Sequence, residues 1–430
     1  MSQNLRLSRD TKTIFAVRSI RGFSSGFGSL LLGTTLKSLG ISSFNVGLVL
    51  GAAVAGNVIT SLAVAKWSDK LGLRRSYIVL FGVLAISGLV LASTNSLPLF
   101  IIVALTGTLS TDMMDNGPFT TIEQSMLGRD LAGNQMIGGF GIFNAFAALA
   151  ASFGALAAGL PHLLRLSFTG LPANQRFFLA LVPFALTSAL IATSLSPQLE
   201  IPAKVDGKTR RTGLEHSKST VRKLSALFAA DAFGGGFIVQ SFITYWFEVK
   251  FHATISTLGI AFFAIGVLQS VSFIVATLFA KHFGLLRTMV FSHLPSNVLL
   301  VVIAFAPNLP IALGLLFVVS LLSKMDVPTR QAYVMALVDP TERTAAAGYT
   351  NTARSVFRPF GPVLAGASQS VFLGLPFLIA GTIKGIYDLV LWNWFRYVEL
   401  PEETLSSVVS TDSALNRNSN SQKTSDKEMR

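Results

Sequence analysis

The fold of this chain is indicated most clearly by residues 65–75, which read Ala65-Lys66-Trp67-Ser68-Asp69-Lys70-Leu71-Gly72-Leu73-Arg74-Arg75 and lie between two long apolar runs. Gly72 permits a tight turn, and the basic side chains keep the stretch outside the lipid. Asp69 is placed to face a helix end or an arginine. The stretch therefore predicts a short loop between two membrane-spanning helices.

The composition is that of a polytopic helical membrane protein. The chain has 430 residues, of which 51% are hydrophobic and 13% are charged, and its mean hydropathy is +0.59. A soluble domain carries about 25% charged residues. Since a membrane-spanning helix needs about 20 mostly apolar residues, the chain has room for about twelve such helices and their loops.

The apolar runs form two groups of six, separated by a polar segment that is rich in basic residues. The tail after Pro401 lacks the apolar residues that a core requires, which is typical of disorder. These changes in composition predict five regions. They are a tail at 1–12, a six-helix half at 13–195, a central loop at 196–223, a second six-helix half at 224–397 and a disordered tail at 398–430.

The basic residues predict the topology. The net charge is +13, and most of the bases lie in the N-terminal segment, in the loops on its side and in the central loop. Because basic loops stay in the cytoplasm, both termini and the central loop are predicted to be cytoplasmic in a multi-pass protein of the cell membrane. This topology explains the charge without a nucleic-acid partner. The absence of cysteine excludes disulfides and thiolate metal sites.

The two halves repeat one another. Gly47 and Gly259 are 212 positions apart, as are Gly72 and Gly284, and Asn144 and Asn351 are separated by 207. Several anchors at nearly one offset predict two six-helix halves that are related as a parallel repeat.

The stretch at residues 65–75 resembles the loop between helices 2 and 3 of the major facilitator superfamily. Asp69, Lys70, Gly72 and Arg74 match the superfamily pattern, whereas Ala65 and Leu73 depart from it. The resemblance implies twelve helices, a central cavity lined by helices 1, 4, 7 and 10, and transport by rocking of the two halves. It also implies a gating role for the loop, whose residues are Asp69, Gly72, Arg74 and Arg75.

Two further segments resemble a mostly uncharacterised prokaryotic group within that superfamily. They read GPFTTIEQ at residues 117–124 and MDVPTRQAYV at residues 325–334. The resemblance implies no particular substrate.

Ionisable residues inside the apolar runs are the candidate proton and substrate pathway. Each costs about 2.5–3.5 kcal/mol on insertion scales, so it is expected to be paired or functional. Most lie on helices that line or flank the cavity implied by the resemblance. The pathway candidates are Arg18, Arg21, Asp112, Asp115, Glu123, Asp231, Asp326, Arg330, Arg354 and Arg358.

The same residues also have a purely structural interpretation. Arg18 or Arg21 could neutralise Asp112 or Asp115, and Arg354 or Arg358 could neutralise Asp326. Glu123 and Arg330 could extend to the membrane surface. Lys384 and Asp388 are one helical turn apart and favour a structural pair, and His293 is expected to be a satisfied polar residue.

Asp115 and Asp326 are expected to occupy equivalent but functionally unequal positions. Each precedes a proline, Pro118 or Pro328, that should break or kink its helix. Arginines on helix 11 should hold Asp326 as a structural acid, which leaves Asp112 or Asp115 as the proton carrier.

These features together predict a secondary active transporter of a small organic molecule, coupled to protons, with export favoured over uptake by family analogy. Uptake of an anionic metabolite stays open because the arginines could hold a carboxylate or phosphate. A non-transporting membrane sensor or assembly protein is the second alternative. No catalytic constellation, metal-ligand spacing or cofactor motif is present, so neither an enzyme nor a cofactor is expected. A monomer in the bilayer is expected.

Overall fold

The computed structural model describes residues 8–112, 117–130, 135–163, 175–196, 214, 217–338 and 342–398, and these residues form helices and turns without a strand. The first half contains α1 Arg9–Ser38, α2 Ser43–Leu71, α3 Leu73–Ser93, α4 Leu97–Leu105, α5 Pro118–Asp130, α6 Gln135–Leu163, a 3-10 helix at Gln175–Ala180 and α7 Leu181–Ala192. The second half contains α8 Lys218–Gly236, α9 Gln240–Phe251, α10 Ile255–Phe283, α11 Leu285–Ala304, α12 Leu309–Ser323, α13 Asp326–Leu337, α14 Arg343–Phe357, α15 Phe360–Gln369 and α16 Leu375–Phe395.

These helices make up twelve membrane spans, six in each half, as the sequence predicts. Seven spans are single helices, and five consist of two consecutive pieces. The two-piece spans are span 4 (α4 and α5), span 6 (the 3-10 helix and α7), span 7 (α8 and α9), span 10 (α12 and α13) and span 11 (α14 and α15). We call the face of the bundle where α1 begins the terminal face and the opposite face the distal face. An even number of spans brings the end of α16 back to the terminal face.

Hydropathy alone finds only part of this bundle. Within the described residues, eight stretches are long and apolar enough to cross a membrane, and they correspond to spans 2, 3, 5, 6, 7, 8, 9 and 12. Span 1 is one long helix of low hydropathy, whereas spans 4, 10 and 11 are each divided into pieces of 15 residues or fewer, which are too short for the test. The same four spans carry most of the intramembrane charges.

The predicted repeat is confirmed at the helix ends. Ser42 caps α2 by accepting the Asn45 N–H, and Thr254, 212 positions later, caps α10 in the same way. Gly72 joins α2 to α3 with φ of 86°, and Gly284 joins α10 to α11 with φ of 84°. This backbone region is essentially restricted to glycine, so both turns require it.

The structure corrects the predicted loop at residues 65–75. Residues 65–71 form the last two turns of α2, and the connection to α3 consists of Gly72 alone. Polar residues beyond the membrane can continue a helix until a residue such as glycine ends it. Asp69 therefore belongs to a helix end, and its side chain lies outside the described part of the structure.

The halves meet near the distal face through two symmetry-related helix pairs. α2 packs on α15, where Gly47 lies against Gly366, and α10 packs on α6, where Gly259 lies against Gly159. Glycines at these positions allow the helix backbones to approach closely. The pieces nearest the terminal face, α5 and α13, pack chiefly within their own halves. This conformation is therefore closed at the distal face.

Candidate functional site: three groups of intramembrane charge

The first group, the N-cluster, surrounds Glu123 on span 4. Arg21 forms a two-pronged contact with this carboxylate, at 2.9 Å from Nε and 2.8 Å from Nη2, and Arg18 Nη1 lies 3.3 Å away. The Tyr77 hydroxyl donates a hydrogen bond of 2.6 Å to Glu123. The Thr120 hydroxyl accepts bonds of 3.0 Å from both arginines. The N-cluster thus ties spans 1, 3 and 4 together.

Aromatic rings complete the burial of the N-cluster. Arg18 lies 4.7 Å from the centre of the Phe143 ring, and Arg21 lies 5.4 Å from that of Phe119. Side-chain exposure is 3% or less for both arginines and 0% for Glu123. The expectation that Glu123 extends to the membrane surface is therefore wrong. The arginines use Glu123 rather than Asp112 as their carboxylate partner.

The second group, the C-cluster, is centred on Asp231 of span 7. Lys384 Nζ lies 2.5 Å from one carboxylate oxygen, while Arg354 and Arg330 lie 2.7 and 3.2 Å from the other. Arg330 also contacts Asp326 at 2.5 Å, one turn away on the same helix. Asp231 is 3% exposed, so three cations from spans 10, 11 and 12 converge on a buried carboxylate.

A histidine extends the C-cluster towards span 12. His293 Nδ1 lies 2.9 Å from Asp388, and its Nε2 lies 3.9 Å from Asp231. The Asn297 amide donates a bond of 2.7 Å to Asp388, which is 0% exposed. His293 is thus satisfied, as expected, but it links two buried carboxylates. Neither Asn297 nor Tyr77 of the N-cluster is recognisable from sequence, since each is a polar side chain without a charge.

Several pairings differ from those expected. Arg354 pairs with Asp231 rather than Asp326, and Arg330 is 8% exposed and does not extend to the membrane surface. Lys384 and Asp388 lie one turn apart but bond to other partners, Asp231 and His293. In each case packing between helices selects a partner that the linear spacing does not reveal.

The third group, the bridge, joins the two halves at Asp112. Arg358 of span 11 lies 2.5 Å from the Asp112 carboxylate, and the backbone N–H of Gln240 donates to the same carboxylate at 2.9 Å. The preceding carbonyl, that of Thr111, accepts the Ser241 N–H at 3.0 Å. Side-chain exposure is 25% for Asp112 and 34% for Arg358, whereas the carboxylates of the two clusters are at most 4% exposed.

Helix interruptions position the bridge. Asp112 follows the end of α4 and precedes α5, which begins at Pro118, and α9 begins at Gln240 after the break in span 7. The predicted interruptions of spans 4 and 10 are both present. Breaks of this kind expose backbone donors and acceptors that a continuous helix would use internally. Asp115, the other candidate on span 4, lies outside the described residues.

Lys324 lies at the break in span 10, beside the bridge. It ends α12, is partly buried, and interacts electrostatically with Asp112 and Arg358. Within the described part of the chain its ammonium group makes no hydrogen bond or ion pair. Lys324 is therefore a basic side chain in the membrane interior without a bonded counter-charge among the residues that the structure describes.

The terminal face contains the candidate gating residues. Arg74 donates a bond of 3.3 Å to the carbonyl of Leu195, which follows span 6, and Arg75 is exposed. Asp10 accepts bonds from the backbone and hydroxyl of Ser196. These contacts connect elements within the first half, so the gating role is a prediction that rests on the resemblance.

A small cavity with a mixed polar and apolar lining adjoins the N-cluster. It lies among Arg21, Ser24, Ser25 and Thr108 and measures about 20 Å³. That volume accommodates about one water molecule. An organic substrate needs more room, so the space between the halves is the better candidate for substrate binding.

Comparison with known proteins identifies the class. The family profile of the Major Facilitator Superfamily matches residues 14–249 and 224–417. The chain therefore belongs to this superfamily of membrane transporters and is a secondary transporter rather than an enzyme. The family assignment agrees with the twelve spans and the repeated halves.

Individual relatives agree with this assignment. The uncharacterized membrane protein YJR124C of Saccharomyces cerevisiae is 26% identical over 426 residues, covering 91% of this chain and 95% of the yeast protein. The nucleoside transporter NupG superposes with a TM-score of 0.71 at 12% identity, covering 91% of this chain and 100% of NupG. A D-xylose-proton symporter superposes at 0.65 with 15% identity, covering 89% and 98%. At these identities the solved structures show the fold alone.

Proposed function

We propose that this transporter moves a small organic molecule by alternating access, that protons drive it, and that Asp112 carries the proton. The observation that carries the proposal is the bridge, in which a partly exposed carboxylate from one half holds an arginine and a backbone N–H of the other half. The D-xylose-proton symporter with the same fold is consistent with proton coupling.

Alternating access requires the contacts at the distal face to break and re-form. A proton on Asp112 would remove its negative charge and weaken its bonds to Arg358 and Gln240. The Asp112 side chain is 25% exposed, whereas Asp326 is 3% exposed and paired with Arg330 on its own helix. These differences support Asp112 as the carrier and Asp326 as a structural acid.

The other pathway candidates divide into two roles under this proposal. Arg354, Arg358 and Asp112 are each at least 25% exposed in their side chains, and we assign them to the pathway between the halves. Arg18, Arg21 and Glu123 hold the first half together, and Asp231 and Arg330 hold the second. Asp69, Gly72, Arg74 and Arg75 would gate the terminal face.

Orientation is part of the proposal. Both termini and the central loop face the cytoplasm, and the protein resides in the cell membrane. Because the chain lacks cysteine, labelling of a single introduced cysteine shows on which side of the membrane that position lies. Ser219 is exposed beside the central loop and Asn95 is exposed at the distal face. An impermeant thiol reagent added to intact cells should label Asn95→Cys and spare Ser219→Cys; the reverse pattern would overturn the orientation.

Spin-label distances test alternating access without a known substrate. Lys70 and His282 are exposed repeat-equivalent positions near the terminal face, and Asn95 and Pro307 are exposed equivalents at the distal face. Cysteine pairs at these positions carry the labels. Lowering the pH should populate a state with a shorter terminal distance and a longer distal distance. If the distance within each pair stays the same at every pH, the mechanism is contradicted.

Asp112→Asn separates proton coupling from rocking. The variant should show the low-pH distance distribution already at neutral pH and lose its response to pH, because the amide resembles the protonated acid. Asp10→Asn is the matched control, since Asp10 bonds only within the first half in the described structure and should leave the response intact. A full pH response in Asp112→Asn would assign the proton to another group.

A further inference from the structure

Among the described residues, the charges beside the bridge do not balance. Asp112 is one carboxylate, and both Arg358 and Lys324 lie within its electrostatic reach. Arg358 already bonds to Asp112, which leaves the ammonium of Lys324 without a bonded partner among the described residues. An isolated charge in the membrane interior is costly, so such a group is expected to meet a counter-charge during function.

The three charge groups and Lys324 together carry an excess of positive charge. They contain seven cationic side chains but only five carboxylates when His293 is neutral. The cations are Arg18, Arg21, Lys324, Arg330, Arg354, Arg358 and Lys384, and the carboxylates are Asp112, Glu123, Asp231, Asp326 and Asp388. The side chains of the N-cluster ion pairs are sealed from solvent, at 3% exposure or less. The excess positive charge that a ligand can reach therefore lies at the bridge.

We infer that Lys324 and Arg358 bind an anionic oxygen group of the substrate, a carboxylate or a phosphate, and that this group replaces Asp112 as the partner of Arg358. Arginine and lysine both suit such a group, arginine through its planar fork and lysine as a point charge. This inference rests on the proposed function and adds the substrate class. It places the anion site between spans 10 and 11 of the second half.

Replacement of Asp112 explains how substrate and proton would be coupled. Once the anion holds Arg358, Asp112 retains the Gln240 N–H as a described partner and loses its strongest positive neighbour. The anion and the Asp112 carboxylate thus compete for Arg358, and a proton on Asp112 removes that competition. Anion and proton therefore bind cooperatively, and each favours the other by the same factor. Cooperative binding produces symport, which favours uptake of the anion over export where the proton gradient is directed inward.

Thermal stability of the purified protein tests the inference, since a ligand of the folded state raises the Tm. The probes are benzoate, succinate, inorganic phosphate and phenyl phosphate, with benzyl alcohol and D-xylose as uncharged compounds. At least one anion should raise the Tm and the uncharged compounds should not. Comparison of the carboxylates with the phosphates identifies the group. Stabilisation by an uncharged compound alone, or by none of the anions, would overturn the inference.

Substitutions test whether the anion binds at Lys324 and Arg358. Lys324→Gln and Arg358→Gln should each weaken the affinity for the active anion by about tenfold or more, as expected for one charged hydrogen bond. Asp112→Asn should tighten it at neutral pH, because the competing carboxylate is gone. Lys250→Gln is the control, since Lys250 is partly buried in the same half but bonds to the carbonyl of Ala304 at the distal face. Unchanged affinity in Lys324→Gln would overturn the assignment.

The pH dependence completes the test. Wild-type affinity for the anion should rise as the pH falls, and this dependence should vanish in Asp112→Asn. A pH-independent wild type would refute the cooperative coupling. The spin-label distances distinguish a failure of the proposed anion site from a failure of the proposed transport mechanism. If the halves rock while only uncharged compounds bind, the anion site is wrong and the transporter mechanism stands.

Discussion

In both the N-cluster and the C-cluster an ion pair joins two repeat-equivalent spans, but the positions of the acid and the base are exchanged. In the first half the cations are on span 1 and the acid, Glu123, is on span 4. In the second half the acid, Asp231, is on span 7 and a cation, Arg330, is on span 10. Spans 7 and 10 are the repeat equivalents of spans 1 and 4. An ion pair between these two equivalent spans is therefore common to both halves, but the span that carries the acid differs between them.

The clusters also differ in the exposure of their side chains. The side chains of the N-cluster ion pairs are at most 3% exposed, whereas Arg354 of the C-cluster is 26% exposed. Arg354 lies one turn from Arg358, which belongs to the bridge. The first cluster is thus a closed clamp, and the second is connected to the place where the halves meet. This difference predicts unequal responses to equivalent substitutions.

The largest effect is expected for Glu123→Gln. The change removes the charge that two buried arginines share, and breaking such a pair costs about 3–5 kcal/mol. The yield of folded protein and its Tm in detergent should both fall sharply. Gln124→Ala, at an exposed position on the same helix, is the control. A Tm within error of wild type would show that the N-cluster is not a structural clamp.

A smaller loss is expected for Asp231→Asn in the C-cluster. Arg330 keeps Asp326 and Arg354 can reach water, so the cost should be about 2–3 kcal/mol, below that of a fully broken buried pair. Lys384→Met should restore at least half of the lost stability in the double variant, because it removes the remaining buried charge. Thermal unfolding of the three variants measures this. No recovery in the double variant would contradict the pairing of Lys384 with Asp231.

The smallest and most equal effects are expected at the two glycine turns. Gly72→Ala and Gly284→Ala each force a side chain into a glycine-specific backbone region and should cost about 1–3 kcal/mol. Gly82→Ala is the control, since this glycine lies within α3 with open space around it. If only Gly72→Ala alters the spin-label distances, the two turns differ in function as the gating proposal requires. Equal changes in both variants would remove that distinction.

The sequence anticipates the architecture because its signals are local. Apolar runs, basic loops and the repeated glycines each act within about 20 residues, the length of one span. They predict twelve helices in two halves. The charged residues that interrupt the apolar runs are nearly all members of the three charge groups. Pro118 and Pro328 likewise predict that spans 4 and 10 are interrupted.

The partners of those charges could not be predicted from the sequence. Arg354 and Asp231 are more than 120 residues apart along the chain, as are Arg358 and Asp112. Arg18, on the other hand, could pair with any acid that packs beside span 1. Helix rotation and the breaks in the spans decide such pairings, and neither has a local signature.

By itself, the sequence determined that this is a membrane protein of repeated halves with an uncommon number of charges inside its spans. Only the tertiary structure decided that Glu123 is sealed in a clamp, that Asp112 crosses between the halves and that Lys324 has no bonded counter-charge among the described residues. The physical reason is that insertion into a membrane depends on the composition of each helix. The role of a charge depends on which helices meet around it and on whether water can enter.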